Sequence, residues 1–69
     1  MKITIELVTK PFETSFYAVC HDGITVRCFS FIEGATDIYS KELNYNKAME
    51  LAQALKSGAV EKREIVAEL

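Results

Sequence analysis

The chain has 69 residues, 49% of them hydrophobic and 26% charged. That length supports one domain with one core, and the apolar content excludes a disordered chain. Eight basic and ten acidic residues leave a net charge of −2 shared evenly by the two halves, so no charged block points to nucleic acid or membrane.

Strand-like alternation begins at residue 2, and no apolar run approaches a membrane span or a signal-peptide core. Residues 1–69 are therefore read as a single mature domain, with the cytoplasm as its expected location. In "KITIELV" (residues 2–8), Ile3, Ile5 and Leu7 face one way and Lys2, Thr4 and Glu6 the other, as in a half-buried strand. Pro11, which fixes its own backbone and has no N–H to donate, breaks the pattern. "SFYAVC" (15–20) and "ITVRCFSFI" (24–32) are rich in β-branched and aromatic residues and flank Asp22-Gly23, the signature of a hairpin.

Two hairpin registers fit. A two-residue Asp22-Gly23 turn pairs His21 with Ile24 and sets Tyr17 opposite Cys28. A three-residue turn with a left-handed Gly23 pairs Cys20 with Ile24 and sets Phe16 opposite Cys28. The second gathers Phe16, Ala18, Cys20, Ile24, Val26 and Cys28 on one face, and on that ground it is the expected register. Neither register permits a Cys20–Cys28 disulfide. The cysteines lie on opposite faces in the first and roughly 13 Å apart in the second, against ~5.5 Å for bridged Cα atoms. With His21 they supply too few ligands, too far apart, for structural zinc. The expectation is two buried thiols, no metal and no cofactor.

Gly34 ends or bends the third strand. "TDIYSKEL" (36–43) reads as a short fourth strand, the alternative being an unusually long irregular loop. "NYNKAMELAQALKSG" (44–58) is a helix: Ala48, Leu51, Ala52 and Leu55 make one apolar stripe. Asn44 suits its N-cap, Lys56 complements the C-terminal dipole, Gly58 is the expected C′ residue, and Met49 widens the stripe as core filler. "VEKREIVAEL" (60–69) fits strand or helix. Strand alternation accounts for more of it, with Arg63, Ile65, Ala67 and Leu69 on one side.

The expected fold is α+β: a small antiparallel sheet of four to five strands with one helix packed on one face, in the order β-β-β-(β)-α-β. Its expected core is Ile3, Ile5, Leu7, Phe16, Ala18, Cys20, Val26, Cys28, Leu51, Ala52, Leu55 and Ile65. At the level of architecture alone this order resembles small modules such as the HicB-like antitoxins. None of that family's characteristic motif occurs here, so no residue role carries over.

Catalysis is not expected. Gly23, Gly34 and Gly58 are too dispersed to cradle a phosphate, and Glu6, Glu33, Asp37 and Glu42 are not paired by local spacing. On the sheet face expected to lie away from the helix, Tyr17, Val19, Arg27, Phe29 and Phe31 form an apolar, mainly aromatic patch. Such a patch is unusual on a monomer. It implies a protein-interaction module that self-associates as a homodimer or binds another protein. The alternative is a single-stranded nucleic-acid binder that stacks bases on these rings, which the acidic charge disfavours.

Overall fold

A computed structural model describes residues 2–11, 13–58 and 64–69. Strands β1 (Ile3–Val8), β2 (Ser15–His21) and β3 (Ile24–Phe31) form an antiparallel meander in the order β1-β2-β3, followed by helix α1 (Lys41–Lys56). This is an α+β arrangement with three strands among the described residues.

The hairpin between β2 and β3 combines features of both expected registers. Its turn is the two-residue one, with His21 paired to Ile24. Asp22 and Gly23 both have positive φ (50° and 84°), the primed geometry that Asp tolerates and Gly adopts freely. Val26 is then left without a partner, a β-bulge that shifts the register so that Tyr17 meets Phe29 and Ala18 meets Cys28. Beyond the bulge Phe16, Ala18, Cys20 and Cys28 do share a face, but Ile24 lies on the opposite one.

The turn is tied to the first strand as well. The Asp22 N–H donates to the Lys2 carbonyl at 2.8 Å, and the Lys2 N–H donates to Asp22 Oδ1 at 2.8 Å. The second bond holds the Asp22 carboxyl below the usual carboxylate range. Partial desolvation opposes that shift, and the neighbouring His21 adds to it.

The register of β1 on β2 decides the architecture. Ile3, Ile5 and Leu7 stand opposite His21, Val19 and Tyr17, so their side chains join the face of Tyr17, Val19, Phe29 and Phe31. That face carries the greater apolar area, and α1 packs on it. The core is Tyr17, Val19, Phe31, Ala48 and Ala52, with Ile3, Ile5, Phe29, Leu51 and Leu55 packed around it. Bulky sheet residues meet alanines on the helix, which lets the backbone approach closely while the rings fill the volume. Tyr17 touches both Phe31 and Tyr45, with ring centroids at 5.2 and 5.3 Å.

The helix therefore covers the opposite face from the one expected. Of the expected core, Ala18, Cys20 and Ala52 are buried and Ile3, Ile5, Phe16, Leu51 and Leu55 half-buried, whereas Leu7, Val26, Cys28 and Ile65 are exposed. Ala18 and Cys20 are buried on the face opposite α1. They are small residues of the central strand, overhung by side chains of its neighbours: Cys20 Sγ lies 3.7 Å from both Glu6 Oε2 and Thr25 Oγ1. At the far end of this face the Lys10 ammonium sits 5.4 Å from the centroid of the Phe16 ring.

Residues 36–43 do not form a strand. They make a bend and turn and then enter the helix, which starts three residues before Asn44. Ser40 is the N-cap, its Oγ accepting from the Leu43 N–H at 3.2 Å. Asn44 is buried inside the first turns, and its side-chain amide donates to the carbonyls of Ile38 (3.0 Å) and Ser40 (2.8 Å). It fastens the preceding loop to the helix. At the other end Gly58, with φ 94°, and Lys56 take their expected places. Residues 64–69 run without regular structure and are exposed, so no strand forms there, and residues 60–63 of the expected last strand lie outside the described residues.

Candidate interaction site beside the open edge of the sheet

The expected contact patch is largely internal. Tyr17, Val19 and Phe31 are 8, 0 and 2% exposed, and Phe29 is half-buried beneath α1. Arg27 stands at the flank of the same face, where it borders a shallow depression with Phe29, Lys47 and Glu50. The correction follows from the β1 register: once Ile3, Ile5 and Leu7 join these rings, the helix buries most by covering them.

What remains open is the edge of β1. Among the described residues, no other strand hydrogen-bonds to β1 on the side away from β2. In an antiparallel strand, alternate residues direct both backbone groups to the same side. The Lys2 carbonyl points to the hairpin, so Thr4, Glu6 and Val8 also bond toward β2, and Ile3, Ile5 and Leu7 present their N–H and C=O groups to the free edge. The side chains of these same three residues form one wall of a groove of about 500 Å³ between β1 and α1. Tyr17 also lines it, Tyr45 and Met49 form the helix side, and Lys56 is the one charged residue among the described residues that line it. Leu7 and Tyr45 are 49% and 42% exposed, so the groove is apolar and open to solvent.

The two edges of the sheet are not equivalent. Strand β3 is distorted by the bulge at Val26, and the chain after it folds back, the Ile32 N–H donating to the Tyr39 carbonyl at 2.9 Å. Bulges and covering loops blunt an edge against pairing. β1 pairs with β2 through all six of its residues without interruption, which leaves its outer side regular.

Tyr45, Met49 and Lys56 were not expected at a surface site. Their spacing, i, i+4 and i+11, marks a second helical stripe beside the core stripe, and that signal is present in the sequence. The thiols divide as well: Cys20 is buried and Cys28 exposed, both free, so the expectation of two buried thiols is corrected for Cys28. His21 and Asp22 lie at the turn, Nε2 and Oδ2 3.3 Å apart. No helix among the described residues is long and apolar enough to cross a membrane.

Comparison with family models, with curated proteins and with solved structures gave no match to this chain.

Proposed function

We propose that this chain is a small protein-interaction module that self-associates and has no catalytic chemistry of its own. One observation carries the reading: a regular strand edge, unpaired among the described residues, borders an open apolar groove while apolar residues elsewhere in the same chain stand in water. Ile65 and Val66 are 85% and 89% exposed, and the groove-lining Leu7 is 49% exposed. Strand edges and apolar grooves of this kind are the usual seats of protein contacts. Glu6, Glu33, Asp37 and Glu42, the candidates for acid–base chemistry, are all exposed, which supports a binding role over a catalytic one. The free thiols fit a reducing compartment such as the cytoplasm.

Stacking on single-stranded nucleic acid finds less support, because Tyr17 and Phe31 lie under α1 and their faces are taken by each other, Tyr45 and the Lys41 ammonium. Sedimentation velocity over a concentration range tests the proposal. The expected outcome is a reversible monomer–dimer equilibrium at micromolar concentrations. A chain that stays monomeric up to the solubility limit overturns self-association.

A further inference from the structure

We infer that residues 64–69 of one copy add as a strand to the free edge of β1 in a second copy, with Ile65 and Leu69 entering the groove between β1 and α1. The inference rests on the self-association proposed above and names its site. Three observations converge on it.

The first is pattern. "EIVAEL" alternates, with Ile65, Ala67 and Leu69 on one side and Glu64, Val66 and Glu68 on the other. A strand added to β1 places alternate side chains on the helix side, where Ile3, Ile5 and Leu7 already stand. The segment is exposed and forms no regular structure in the isolated chain, with Leu69 among its fully exposed residues.

The second is register. The segment carries Glu64 and Glu68, β1 carries Glu6, Lys2 stands just before the strand, and Lys56 lines the groove. An antiparallel register that pairs Ile65 with Leu7 and Leu69 with Ile3 sets Glu6 opposite Val66, Glu64 opposite Val8 and Glu68 opposite Thr4, with Glu64 and Glu68 both diagonal to Glu6 and Glu68 also diagonal to Lys2. No two like charges then stand directly opposite, and that register also meets the outward backbone groups of Ile3, Ile5 and Leu7.

The third is the choice of edge and of copy. β3 carries a bulge and is bordered by Arg27, Lys47 and Glu50, whereas the described residues lining the β1 groove are apolar apart from Gln53 and Lys56. In the single chain residues 64–69 form no strand, and among the described residues none pairs with the outer edge of β1, so both halves of the contact stay available to a second molecule. Reciprocal exchange between two copies satisfies both edges across a two-fold axis.

The test uses the full chain. Ile65→Lys with Leu69→Lys alters two exposed side chains, so the helical circular dichroism and the melting temperature of the monomer should not change. The expected result is a dimer for the wild-type chain and at least a tenfold rise in its dissociation constant for the double variant. Leu7→Lys, on the groove side, should weaken the dimer similarly. A double variant that dimerises as tightly as wild type overturns the exchange and leaves self-association standing through another surface. A monomeric wild-type chain in which amides 65–69 are protected from hydrogen exchange also overturns it, placing the segment on its own edge. A monomer with unprotected amides overturns self-association itself.

Discussion

The two faces of the sheet solve burial in different ways. On the face under α1, large residues, among them Tyr17, Val19 and Phe31, are shielded by a second layer of structure. On the reverse face Ala18 and Cys20 are 3% and 2% exposed with no second layer above them among the described residues. Their smallness is what makes that possible, because side chains of the flanking strands close over a short residue but not over a ring. Low exposure of a strand residue therefore does not identify the face that meets the helix. Residue volume does.

The largest expected difference between the faces is in stability. Phe31→Ala removes a buried ring and should cost about 3–5 kcal/mol, enough to unfold most of the population of a domain this small. Loss of the cooperative thermal transition by circular dichroism is the expected readout. The corresponding Cys28→Ala on the reverse face should stay within about 0.5 kcal/mol of wild type.

Asn44→Ala comes next. It leaves the Ile38 carbonyl without its side-chain donor and removes one of two donors from the Ser40 carbonyl, which still accepts from the Asn44 N–H at 3.2 Å. A loss of about 1–3 kcal/mol is expected, read from denaturant midpoints. Hydrogen exchange should quicken at Ser40, whose N–H donates to the Asp37 carbonyl, because the loop is freed from the helix.

Asp22→Asn tests the turn that joins β2 to β3. Because the folded carboxyl titrates below its ordinary range, its contribution is present above the unfolded pKa and is lost as pH falls through the folded one. The wild-type chain should therefore lose a small increment of stability on acidification below the ordinary carboxylate range, and the Asn variant should lack that increment. Asn tolerates the same left-handed backbone, so the turn itself should persist.

The smallest effect concerns reactivity rather than stability. One thiol per chain, Cys28, should react rapidly with a thiol reagent in the native state, and Cys20 should react only on unfolding. Two slow thiols would mean that the reverse face is covered.

Much of this was legible in the sequence. The alternation in 2–8, the hairpin signal around Asp22-Gly23 and the stripe through Ala48, Leu51, Ala52 and Leu55 identified three strands and the helix. The bulge was not legible, because nothing in "ITVRCF" marks Val26 as the residue to be left over. The side of β1 was not legible either, since the loop containing Pro11 does not set parity, and a one-residue change of parity exchanges the faces. That single ambiguity assigned Tyr17, Val19, Phe29 and Phe31 to the surface and hid the groove beside β1. The start of the helix was misplaced because Asn44 and Ser40 are both good caps by composition. Only the tertiary position of Ile38, which Asn44 holds, separates them.

The most direct test of the face assignment is a nuclear Overhauser experiment on the Ala48 and Ala52 methyl groups. These methyls should show cross-peaks to the ring protons of Tyr17 and Phe31 and to the methyls of Val19, their neighbours in the core. Cross-peaks from Ala48 and Ala52 to Phe16, Ala18 and Cys28 instead would put the helix on the other side of the sheet and contradict the account.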